Sequence, residues 1–138
     1  MGNLPKGIFG FVLMLIVLAT PGQAQKRHQI RLEADEEKAS YRFIPAQVTA
    51  RPGDVLVFKV GRGAPHSIVF ESADLSEATH EAVNGAMSRR TGDLSSPLLT
   101  AEGTEYRLTV PRIAPGVYHF YCLPHRAYDM RGQLRVTK

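Results

Sequence analysis

Cysteine is almost absent: Cys122 is the only one in 138 residues. A single thiol cannot form an internal disulfide, so no disulfide framework holds this chain. With no cysteine near the amino terminus, lipid anchoring through a processed cysteine is excluded as well. Long hydrophobic runs are also lacking. The longest, Ile8 to Ala19, covers 12 residues, short of the ~20 a spanning helix needs. There is no internal repeat, no low-complexity tract and no linker-like stretch, so one domain is expected. Charge of one sign is scarce too. Lys and Arg number 17 against 13 Asp and Glu, too weak and dispersed an excess for nucleic-acid binding.

The amino terminus reads as a processing signal. Lys6 precedes the apolar run, and Gly22 and Ala24 are small residues at −3 and −1 of a cleavage site before Gln25. Residues 1–24 are thus expected to be a signal peptide, with an uncleaved anchor as the alternative. Residues 25–138 then form an exported domain of 114 residues with 16 basic and 13 acidic side chains, a net of +3. The expected location is periplasmic or secreted, with no membrane span once the leader is removed. An unpaired thiol in an oxidising compartment is an oxidation hazard unless something occupies it.

Short alternating segments punctuated by Pro and Gly fill the rest. Strands are expected at His28–Glu33, Tyr41–Phe43, from Val48, at Val55–Val60, Ser67–Phe70, Tyr106–Val110, Val117–Cys122 and Gln133–Val136. Such spacing suits an antiparallel β-sandwich or barrel. One insertion departs from it. Asp74 resembles an N-cap with Glu77 three residues on, and Leu75, Ala78, Ala82, Val83, Ala86 and Met87 recur at helical spacing. The spacing predicts an amphipathic helix over about 75–89 that packs on the sandwich, with Met87 in the core.

The stretch from Cys122 to Met130 is the most informative. It places a thiolate, the imidazole of His125 and the thioether of Met130 within nine residues, directly after a strand. Alternation sets Tyr118, Phe120 and Cys122 on one face and His119 and Tyr121 on the other. Cys122 therefore leaves the strand on its apolar side, where a bare thiolate is costly and a metal cation offsets that cost. A His₂Cys set with a long axial Met is the donor set of electron-transfer copper. The second imidazole is expected from His66, which follows Pro65 and opens an apolar strand.

On these residues the chain resembles the plastocyanin and pseudoazurin branch of the cupredoxins, the small blue copper proteins. The resemblance rests on Pro65 and His66, the run Tyr118 to Cys122, Pro124 and His125, Met130 and Gly132, and it covers nearly everything from Tyr41 onward. It implies an all-β, eight-stranded Greek-key sandwich with copper at one end, ligated by His66, Cys122, His125 and Met130. The implied activity is one-electron transfer with a single type 1 copper ion, not enzymatic bond chemistry. Implied partners are redox proteins, a cytochrome or a terminal oxidase or reductase, met by a monomer. His125 would present the electron port, ringed by Leu123, Pro124, Ala127 and Tyr128. Tyr121 is either a second port or an ordinary strand tyrosine. A copper carrier delivering metal to an oxidase is the alternative, although no Met-rich or His-rich cluster is present. Ser67 replaces the asparagine usual after the first histidine ligand, and a shorter hydroxyl makes fewer bonds between the ligand loops.

Overall fold

The computed structural model describes residues 1–2, 22, 24–73 and 75–138. The leader expected over 1–24 falls almost wholly outside these residues, and so does Asp74. Eight strands form two four-stranded sheets. The first contains β1 (Arg27–Asp35), β2 (Ser40–Ile44), β4 (Val55–Val60) and β6 (Glu105–Thr109), in the order β2-β1-β4-β6. The second contains β3 (Gln47–Ala50), β5 (Val69–Phe70), β7 (Gly116–Tyr121) and β8 (Arg131–Val136), in the order β3-β8-β7-β5. The sheets are mixed rather than purely antiparallel, because β1 runs parallel to β4 and β3 parallel to β8. The inward face of each strand supplies the core. Phe120 sits at its centre, edge-on to Phe43 at 4.9 Å and to Phe58 at 5.6 Å between ring centroids, the arrangement aromatic quadrupoles favour.

Gly132 owes its identity to this packing. A side chain at 132 would run into the Phe120 ring. The residue lies inside β8 rather than at a turn, so it supplies space for an aromatic neighbour and not the chain reversal that a glycine after the loop suggests.

The fifth strand is shorter than the apolar run Ser67–Phe70 predicts. Ser67 and Ile68 use their backbone groups elsewhere: the Ile68 amide donates to Ser96 Oγ at 2.9 Å and the Ile68 carbonyl accepts from the Ser96 amide at 2.9 Å. The helix is shorter too. α1 runs Glu77–Ala86, not 75–89, because Ser76 caps it by accepting the Thr79 amide and Met87 leaves helical geometry with φ −81° and ψ 112°. Its buried stripe is Thr79, Val83 and Met87, one turn apart, while Ala78 is exposed. Met87 is a core residue. Asp93 anchors the helix by accepting Asn84 Nδ2 at 2.7 Å and bonding His80 Nε2 at 2.8 Å.

Just before β4 the chain is tied to the start of β1 by Asp54. Its carboxylate accepts the amides of Lys26 (3.0 Å) and Arg51 (3.1 Å) and meets His28 Nε2 at 3.0 Å. Burial opposes ionisation, but the His28 bond and the two amides outweigh it and pull the carboxyl down to about 2. An unfolded aspartate titrates near ~3.9. The contribution of Asp54 is therefore full above pH ~4 and vanishes as pH falls towards ~2, for a total of about 2 kcal/mol. Urea unfolding of metal-free Asp54→Asn should show this increment missing at pH 7 and a flatter stability profile between pH ~4 and ~2.

Candidate metal centre

Two segments far apart in sequence meet at one end of the sandwich. His66, on the first, is pinned by a two-way backbone bridge to a third segment: its amide donates to the Leu99 carbonyl at 3.0 Å, and the Leu99 amide donates back at 2.8 Å. Cys122 follows β7 directly. The loop after it curls into a single 3₁₀ turn, Arg126–Tyr128, which ends at Asp129 in the left-handed conformation (φ 57°). Aspartate tolerates that conformation better than most residues. The loop closes on itself, since the Cys122 amide donates to the Met130 carbonyl at 3.0 Å and the Met130 amide donates to the His125 carbonyl at 3.3 Å.

Cys122 Sγ lies 3.7 Å from His66 Nδ1 and 3.5 Å from His125 Nδ1. All three donor atoms fall within 4.8 Å of one another, the one such group of His, Cys, Asp and Glu found among the described residues. His66, Cys122 and Met130 are fully buried, whereas His125 is half-buried. The two imidazoles are held in the state a cation needs. His66 Nε2 donates to the Arg62 carbonyl at 3.1 Å, which leaves Nδ1 as the free acceptor. Burial lowers the basicity of the His66 ring, against the opposing pull of the Arg62 carbonyl and the Glu33 charge. Burial also lowers that of His125, reinforced by the nearby His66. Both imidazoles therefore face the sulfur as neutral ligands. Burial pushes the Cys122 thiol up, opposed by hydrogen bonds from the backbone of Ser67 and His125, so an ordinary proton is held tightly until a metal displaces it.

One soft sulfur and two imidazole nitrogens, buried and converging, fit copper better than a hard cation. Hard cations require oxygen ligands. Residues 29–137 match the family described as copper binding proteins, plastocyanin/azurin family. The chain belongs to the plastocyanin/azurin family. It is 32% identical over 101 residues to plastocyanin from Sambucus nigra, covering 73% of this chain and 93% of that one. It is 31% identical to the chloroplastic plastocyanin minor isoform of Arabidopsis thaliana, covering 88% of this chain but only 63% of the relative. Among solved structures, a mutant fern plastocyanin superposes with a TM-score of 0.62 at 25% identity, over 80% of this chain and all of the other. A pseudoazurin from Sinorhizobium shares the fold alone, with a TM-score of 0.53 at 20% identity over 83% of this chain and 76% of its own. The sandwich is thus the cupredoxin fold, and one type 1 copper ion is the cofactor that suits this family and this donor set.

Ser67 does more in this cupredoxin than its short side chain suggests. Its amide donates to Cys122 Sγ at 3.4 Å while its hydroxyl accepts the Leu123 amide at 3.1 Å. The two ligand segments are therefore still clasped on both sides of the cysteine. Ser67→Ala keeps the first bond and orphans the Leu123 amide. A loss of about 1–2 kcal/mol in metal-free stability is expected, readable by denaturant titration, with faster loss of copper to a chelator.

Two features escape a reading of the sequence. Tyr41, from β2, stacks on Tyr128 at 4.2 Å and lies 5.1 Å from the His125 ring. The Arg126 guanidinium sits 4.7 Å above the Tyr121 ring. The first pairs residues that only the closed sandwich brings together, and the second depends on how the loop after β7 curls back. A tyrosine near the start of β2 carries no signal that it borders the metal loop.

Proposed function

We propose that His66, Cys122, His125 and Met130 hold the copper ion and that the protein carries single electrons between redox proteins after export to the periplasm or an equivalent compartment. The convergence of Sγ and two Nδ1 atoms within 4.8 Å carries this reading. Bound there, copper supplies a one-electron couple whose two states prefer different ligand sets. The protein's part is to keep the donors from following either preference. His66 is fixed by the Leu99 bridge and the Arg62 carbonyl, Cys122 by Ser67, and Met130 by the loop closure. Little rearrangement then accompanies a change of oxidation state.

Access is confined to one edge. The half-buried His125 is the ligand nearest solvent, and Leu123 (55% exposed) and Tyr128 (59% exposed) flank it. An apolar rim around the one accessible imidazole suits brief docking of a redox protein, a cytochrome or a terminal oxidase or reductase. The burial of His66, Cys122 and Met130 opposes ligand exchange and so favours electron carriage over copper delivery. No enzymatic step is assigned to the site. Among the described residues, no helix is long and apolar enough to cross a membrane. The test is the absorption spectrum of the copper-loaded protein lacking residues 1–24. An intense visible thiolate-to-copper band that bleaches on reduction is expected, and a colourless copper complex would refute the assignment.

A further inference from the structure

The loop that carries the Arg62 carbonyl does not stand alone, and what holds it is a charge. Gly61–Gly63 is pressed against the end of β1. The Gly61 amide donates to the Leu32 carbonyl at 2.9 Å, and the Ala34 amide donates to the same Arg62 carbonyl that receives His66 Nε2, at 2.9 Å. The Arg62 amide donates to Glu33 Oε2 at 3.1 Å. The Glu33 side chain is about a quarter exposed (27%), with Arg31 Nε 3.8 Å from its other oxygen. There is no slack on this side. A side chain at 61 would collide with the Glu33 carboxylate, and one at 63, where φ is +75°, would collide with the Ala34 carbonyl. A continuous path thus runs from the Glu33 carboxylate through both polar groups of Arg62 to the outer nitrogen of His66.

We propose that Glu33 is a positioning residue for the copper site. Its carboxylate locks the Arg62 backbone, and thereby the orientation of the His66 ring, while its negative charge biases the bound copper towards Cu(II). This rests on the assignment of His66 as a ligand, since a ring that binds nothing has nothing to tune. The two effects separate by substitution. Glu33→Gln keeps an oxygen acceptor for the Arg62 amide and removes the charge. Glu33→Ala removes both. Gly61→Ala keeps the charge but evicts the carboxylate from the Arg62 amide, because the flexible Glu33 side chain can move where backbone cannot.

Two readouts serve, one needing no metal. Amide hydrogen exchange on the metal-free protein should show Arg62 exchanging about tenfold faster in Glu33→Ala and in Gly61→Ala, the factor of roughly one lost hydrogen bond, and near the wild-type rate in Glu33→Gln. Voltammetry of the copper-loaded protein should show a raised potential in Glu33→Gln. The Cu(II)/Cu(I) ratio at fixed poise should fall about threefold to tenfold, a tenfold change being 59 mV for one electron. The exposed Glu37→Gln should move neither readout. An unmoved potential in Glu33→Gln overturns the proposal. So does unchanged Arg62 exchange in both Glu33→Ala and Gly61→Ala. If the wild-type protein nonetheless shows the blue band, the copper assignment survives; a wild-type protein with no band sinks both.

Discussion

Replacing Cys122 by serine is expected to erase the visible charge-transfer band completely and to weaken copper binding by more than the ~10- to 100-fold that outer-shell changes cost. The reason is chemical. A thiolate is soft and is formed outright when a metal displaces its proton, whereas an alcohol oxygen is hard and keeps its proton at neutral pH. The metal-free fold should survive, because the groups now facing Sγ, the Ser67 amide and the two Nδ1 atoms, can all bond a hydroxyl. Circular dichroism and denaturant unfolding of the metal-free variant check the fold, and competitive titration checks affinity. A Cys122→Ser protein that stays blue would remove the sulfur from the site altogether.

The second large effect belongs to His125. His125→Ala should fold, since this ring lies on the partly open side and its backbone bonds to Cys122, Tyr128 and Met130 do not need the imidazole. Copper affinity should drop by at least ~10- to 100-fold, and electron self-exchange should slow sharply, because the accessible edge of the site is gone. Free imidazole should enter the vacated position and restore part of the spectrum. An exchange rate equal to that of the wild type, measured by NMR line broadening in mixed oxidation states, would show that electrons pass elsewhere. Tyr121 is the next place to look, and its ring is covered by Arg126 on one face.

How much of this was readable from the residues themselves differs by element. The convergence of the proposed donors was legible because local spacing places three of them on one loop and strand parity puts Cys122 on the buried face with Phe120 and Tyr118. The strands were legible where alternation is clean, as in β1 and β6, whose inward residues are buried and outward ones largely exposed. The true extents of α1 and β5 were not. Those depended on which partner a backbone group would choose, Ser76 for Thr79 or Ser96 for Ile68, and pattern does not encode such choices. The parallel pairings β1·β4 and β3·β8 were hidden for a similar reason, since alternation reports a face and not a direction. Ser67 was underestimated because counting side-chain atoms overlooks its backbone amide. Glu33 was invisible as part of the site, since it reads as an ordinary outward residue of β1 until Gly61–Gly63 folds against it.

The pairing of β8 with both β7 and β3 also dictates an order of events. β3 and β8 lie far apart in the chain, with Gln47 paired to Gln133, so the second sheet cannot close until both strands have been made. Non-local pairing of this kind is slow to form. The end of the sandwich where Cys122 meets His66 therefore depends on contacts between distant parts of the chain, and a polypeptide lacking β8 has no complete pair of sheets to hold the two together.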